Sequence, residues 1–146
     1  MIIENDYLGE VEVNSSNIII FEHGIPGFEE EKEFVILSIE EQSAFQMLQS
    51  LKTKSLAFII TDPGYVVPNY IFDLDEATVH SLEIKEEREV AVFTIVSLKE
   101  TIADSTTNLK APIVINKSNK KAKQVILDND EYTIRHRIGS ESKRGE

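Results

Sequence analysis

The sequence predicts an all-β, mainly antiparallel domain, a small barrel or sandwich with one or two short helices. Three observations carry this. The periodic segments are short and rich in Val, Ile, Phe and Thr, the residues that suit a pleated, packed surface. Turn residues fall between them. Helix signals are confined to two stretches.

Taken in order, Leu8-Gly9-Glu10-Val11-Glu12-Val13 alternates apolar and polar, as a half-buried strand does. Ile18-Ile19-Ile20-Phe21, Phe34-Val35-Ile36-Leu37, Leu56-Ala57-Phe58-Ile59-Ile60 and Val90 to Val96 are apolar on both faces, which suits strands covered on both sides. Pro26-Gly27 and Pro63-Gly64 each predict a type II turn, with Gly at the position that needs positive φ. The first of these turns reads as a rigid corner that either seats Phe28 in the core or presents it. Ser43 to Leu51 reads as a short helix or turn, with Phe45 and Leu48 on one side. Asp73-Leu74-Asp75-Glu76 reads as a helix start, running to about His80 or Leu82. Ile113-Val114-Ile115 and Gln124-Val125-Ile126-Leu127 flank Asn116 to Lys121, a hairpin with a basic tip. Asp128-Asn129-Asp130 turns into Glu131-Tyr132-Thr133-Ile134, a second hairpin. Residues 1–138 form one domain, and Gly139 to Glu146 is a polar tail expected to fray.

The 146 residues suffice for one domain with a single core. The formal charge is −11, with 26 acids against 15 bases. That disfavours nucleic acid and anionic membrane surfaces, both of which are bound through cations. The charge is uneven. Residues 1–109 carry 21 acids and 6 bases, a balance of −15, and residues 110–146 carry 5 acids and 9 bases, a balance of +4. Solvated faces of opposite sign explain this, and so does an acidic surface that meets a basic partner or repels a polyanion. With no cysteine there is no disulfide, thiolate metal site or cysteine nucleophile. The N-terminus has no signal-peptide pattern and no apolar run approaches a membrane span, so the cytoplasm is the expected compartment.

Residue patterns for catalysis are missing. His23, His80 and His136 are far apart, with no ligand-type spacing. Asp73-x-Asp75 opens like a calcium loop, but Thr78 stands where that loop needs Gly and Ile84 where it needs Glu. No G-x-S-x-G elbow and no phosphate-cradling glycine loop occurs. The basic cluster Lys117, Lys120, Lys121 and Lys123 has no aromatic interleaving of the kind that stacks on bases. No metal, cofactor or catalytic residue is expected. What remains is a small acidic β-rich binding module.

Several segments together resemble the flagellar assembly factor FliW family. They are Phe21-Glu22-His23-Gly24-Ile25-Pro26-Gly27-Phe28-Glu29; Phe45-Gln46-Met47-Leu48-Gln49-Ser50; Ala57-Phe58 with Asp62-Pro63; and Pro68-Asn69-Tyr70. Thr107-Asn108-Leu109-Lys110-Ala111-Pro112-Ile113-Val114-Ile115-Asn116 follows, and then Gln124-Val125-Ile126-Leu127. Each is moderately specific, and their joint order from about Tyr7 to Arg137 is strong. The resemblance implies a small barrel-like β domain without catalytic activity or cofactor, a monomer when free. It implies that the protein binds the translational regulator CsrA and relieves repression of flagellin mRNA. It also implies binding to flagellin, in a partner switch coupling filament export to translation. An unrelated acidic assembly module is the alternative, and a carboxylate- or metal-dependent enzyme is a third reading.

Interfaces favour aromatic and aliphatic anchors. The candidate partner-binding residues are therefore Met47, Tyr70 and Phe72, in apolar stretches between turns, and Ile102 and Leu109, in an otherwise polar segment. Asn108, Lys110 and Pro112 join them on the family pattern. Core packing or strand entry explains any one of these as well. Pro112, lacking a backbone donor, suggests an edge that could accept an added strand.

Overall fold

The computed structural model describes residues 1–39, 44–128 and 130–139. Its strands are β1 (Ile2–Asn5), β2 (Gly9–Glu12), β3 (Ile19–Phe21), β4 (Glu33–Ser38), β5 (Phe45–Ser50), β6 (Ala57–Thr61), β7 (Val90–Ser97), β8 (Thr106–Thr107), β9 (Ile113–Asn116), β10 (Lys121–Gln124) and β11 (His136–Arg137). Two helices, α1 (Pro63–Val66) and α2 (Glu76–Ser81), lie between β6 and β7. The hydrogen-bonded order β7-β6-β5-β4-β3-β10-β9 closes on itself, because β9 also pairs with β7. The result is a seven-stranded barrel, with β8 and β11 extending from the second half of β7. All pairings are antiparallel except β10 with β3.

Closure explains the runs that are apolar on both faces. In β4, Phe34 and Ile36 point into the barrel while Val35 and Leu37 point out. In β9, Ile113 and Ile115 point in and Val114 points out. The interior is filled by side chains, as small barrels are. Phe21 and Phe34 meet edge to face at 5.3 Å between ring centroids, beside fully buried Leu48. Outside, the β1–β2 hairpin covers Val35, Leu37 and Met47. A second outer layer, built from Leu82 and Ile84 just after α2, residues 70–74 and the segment around Tyr132, covers the face carrying Val90 and Val114.

Several expectations need correction. Phe45 to Ser50 is a strand, not a helix or turn, because β4 and β6 pair with both its edges. Ser43 lies outside the described residues. Pro26-Gly27 makes the expected turn, with Gly27 at φ +90° and the Phe28 N–H donating to the Ile25 carbonyl at 2.6 Å. However, Phe28 is 40% exposed and leans edge-on against Phe58 at 5.3 Å, so it is not seated in the core. Pro63-Gly64 starts α1 instead of making a turn. Asp62 caps it by accepting from the Gly64 N–H at 2.8 Å, and Pro63 fills a first-turn position that needs no donor. The second hairpin is not formed: Glu131 to Ile134 is not a strand, and Tyr132 folds inward instead. Pro112 leads into β9, which is paired on both sides by β10 and β7, so no open edge exists there for an added strand. Gly139, assigned by the sequence to the tail, is buried, and its N–H meets the Ala103 carbonyl at 3.2 Å. The rest of that tail lies outside the described residues.

A helix forms where the sequence implies one and ends within the expected bounds, but its cap is Asp75 and not Asp73, the acid with Glu76 three residues on. Asp75 accepts from the Thr78 N–H at 2.7 Å, and Thr78, through its side chain first and its backbone second, holds the carboxyl below the usual range. The helix ends in a Schellman motif. Glu83 takes φ +55°, its N–H reaches the His80 carbonyl at 3.1 Å, and the Ile84 N–H reaches the Val79 carbonyl at 3.0 Å.

Candidate protein-docking groove

The helix stop positions an apolar groove. On the outer face of β7, Val90 and Val92 form its base. Val79 from α2 and Ile84 from the Schellman turn form one wall. Tyr70, Phe72 and Leu74 form the other. The cavity measures about 510 Å³, and all of these side chains are only half-buried. Ligand and peptide sites are typically depressions of this size and character.

The second wall is held by hydrogen bonds. The Tyr70 hydroxyl donates to the Leu109 carbonyl at 2.7 Å. Burial, and then the neighbouring Tyr132, push that hydroxyl above its ordinary pKa, so it stays a neutral donor. The Tyr132 hydroxyl lies 2.9 Å from both backbone polar atoms of Ile71, accepting from the N–H and donating to the carbonyl. The two tyrosine rings pack 4.5 Å apart, and Phe72 meets Tyr70 edge-on at 5.6 Å. A wall fixed in this way needs little ordering when a partner docks.

Acids surround the groove. Asp62, Asp73, Glu86 and Glu87 line it, with Lys85 as the single base. Nearby, Lys121 reaches Glu83 at 2.5 Å, which lowers the carboxyl pKa and raises that of the ammonium. Among the described residues no group of three His, Asp or Glu is placed to hold a metal ion, and no helix is long and apolar enough to cross a membrane.

The structure brings together part of the candidate set. Tyr70, Phe72 and Leu109 share one apolar cluster at this groove. Leu109 is buried and acts through its backbone, bonded to Tyr70 on one side and to the Thr133 carbonyl on the other. Asn108 accepts from the Lys110 and Ala111 N–H groups at 3.1 Å, which turns the chain into β9. Lys110 lies 3.8 Å from Asp130, and buried Pro112 accepts from the Val125 N–H at 2.9 Å. Met47 is elsewhere, 2% exposed beneath the β1–β2 hairpin. Ile102, 55% exposed, belongs to the loop before β8 and does not line the groove. Sequence reasoning missed Val79, Ile84, Val90 and Tyr132. The apolar spacing of Val79 and Ile84 around an α2 stop could have found the first two. Nothing local marks Tyr132, which sits in a charged, turn-rich stretch.

The fold and most of the chain have close counterparts among known proteins. The family model FliW, described as FliW protein, matches residues 2–138. The chain belongs to the FliW family. A Bacillus subtilis flagellar assembly factor FliW is 48% identical over 142 residues, covering 97% of this chain and 99% of that protein. Its Oceanobacillus iheyensis counterpart is 49% identical over 140 residues, covering 96% and 95%. A solved structure, a crystal structure of the flagellar assembly factor FliW, superimposes with a TM-score of 0.88 at 41% identity, covering 94% of this chain and 96% of that one. The barrel-like β class expected from the sequence is therefore the FliW fold.

Proposed function

We propose that this protein is a non-catalytic flagellar assembly factor of the cytoplasm that works by exchanging protein partners. The observation that carries this is near-full-length similarity to proteins named flagellar assembly factor FliW. In this reading it binds CsrA and relieves repression of flagellin mRNA. It also binds flagellin, so that unexported flagellin frees CsrA. Candidate contacts remain Met47, Tyr70, Phe72, Ile102, Asn108, Leu109, Lys110 and Pro112, of which Met47, Leu109 and Pro112 are buried in the free chain and the others are at least partly exposed. The charge of −11 supports a cationic partner, since a regulator of RNA must present positive potential, and an acidic module beside it repels RNA phosphates.

The test is size-exclusion chromatography of the purified protein with CsrA, with and without flagellin. Co-elution with CsrA that flagellin displaces is expected. Absence of co-elution, or indifference to flagellin, would refute the partner switch. Neutralising several acids among residues 1–109 should weaken CsrA binding and RNA release at physiological salt. No change would remove the electrostatic part.

A further inference from the structure

We infer that the groove between α2, residues 70–74 and β7 is a docking site for a peptide segment. That segment carries an aliphatic or aromatic anchor flanked by Lys or Arg. The floor and walls are apolar, yet Tyr70, Phe72, Leu74, Ile84 and Val90 are left half-buried although each packs on the cluster beneath, and Val79 beside them is half-buried too. A domain that closes its barrel leaves this depression of about 510 Å³ open on its outer face. Ile71, at its rim, is 74% exposed while its backbone is clamped by Tyr132. Its side chain is thus held outward on a fixed support.

Charge selects the occupant. The lining acids Asp62, Asp73, Glu86 and Glu87 face one Lys85, so an acidic segment would meet repulsion and a basic one attraction. The floor requires an apolar anchor, because a purely polar chain would leave the half-buried side chains wet. An amphipathic segment lying along a groove is a general recognition mode. A smaller depression of about 250 Å³ beside Glu22, Glu29, Leu82 and Ala122 has fewer apolar side chains and no Phe or Tyr in its lining. The barrel mouth near Asn17, Phe93 and Ile115 is smaller, about 290 Å³, and its charged lining residues are Lys117 and Lys120. This inference refines the proposed function only by saying where a cationic partner seats, and its test is independent of that reading.

The probe is a fluorescein-labelled amphipathic peptide alternating leucine pairs with lysine pairs, followed by anisotropy at physiological salt. Two comparators accompany it, one with glutamate for lysine and one with serine for leucine. Both should bind at least about tenfold more weakly. Combined Asp73→Asn and Glu87→Gln should weaken the leucine–lysine peptide by roughly three- to tenfold. Glu10→Gln with Glu12→Gln, on the hairpin that covers a different cluster, should not. Val79→Glu should abolish binding. Ile71→Ser, at an exposed site that cannot unfold the core, should weaken it measurably if Val79→Glu fails to fold. Equal loss from the Glu10 and Glu12 changes, or retained binding in Ile71→Ser and Asp73→Asn/Glu87→Gln, would overturn the groove. So would self-association through this face, seen as a concentration-dependent shift in elution that Ile71→Ser removes. Co-elution with CsrA alongside failed peptide binding would overturn the groove and leave the partner switch standing.

Discussion

Tyr132→Phe isolates the device that holds the groove wall. The substitution keeps the ring 4.5 Å from Tyr70 and removes only the hydroxyl, which serves both the N–H and the carbonyl of Ile71. Each hydrogen bond contributes about 1 kcal/mol net. The Ile71 backbone is only partly buried, so water replaces some of the loss, and the expected destabilisation is about 1–2 kcal/mol. For a chain of this size that lowers Tm by roughly 2–8 °C. The local effect is sharper. Hydrogen exchange at the Ile71 amide should accelerate by roughly tenfold or more beyond the global change, while amides of β4 and β5 follow only the global change. A fall in Tm with the Ile71 amide still protected would refute the reasoning and assign Tyr132 to ring packing alone.

Leu48→Ala, at the fully buried centre of the barrel, should cost about 2–5 kcal/mol in denaturant unfolding, since the closed barrel cannot collapse onto the cavity. Gly27→Ala should cost about 1–2 kcal/mol for its positive φ alone, because a Cβ there meets nothing within 4 Å. Gly24→Ala should cost clearly more in the same thermal melts, because its Cβ would sit 2.5 Å from the Glu29 carbonyl oxygen. The Glu31 carboxyl lies below its ordinary value of 4.5, chiefly through the Ser50 hydroxyl and also through Thr53 and Lys52. A lowered folded pKa gives stability that is complete above the ordinary carboxylate range and lost as pH falls through the folded value. Melts of Glu31→Gln below pH 4.5 should therefore show a flatter acid limb than the wild type, and an unchanged limb would remove Glu31 from the account.

Most of the strand content was legible in the sequence because its signal is local, although the second arm of the basic-tipped hairpin, expected at Gln124 to Leu127, is Lys121–Gln124. Phe34-Val35-Ile36-Leu37 and Ile113-Val114-Ile115 announce burial on both faces, and Asp73 to Glu76 announces a helix start, though only the structure places its cap at Asp75. The segment Phe45 to Ser50 was misread because its apolar spacing fits either period, and only pairing with β4 and β6 decides between them. The Pro63-Gly64 turn was misread for a related reason: the same residues serve a turn or a first helical turn, and the Asp62 cap chooses.

The β class, the acidic balance, a short helix after Asp73 and the family are all readable from the chain alone, since composition, period and ordered motifs are properties of the chain. Closure of the sheet through β7 and β9, and the meeting of Tyr70, Val79 and Val90 at one groove braced by Tyr132, arise only in the folded chain. The contacts that make it, Tyr70 to Leu109 and Tyr132 to Ile71, span 39 and 61 residues, a separation at which no local pattern constrains the pairing.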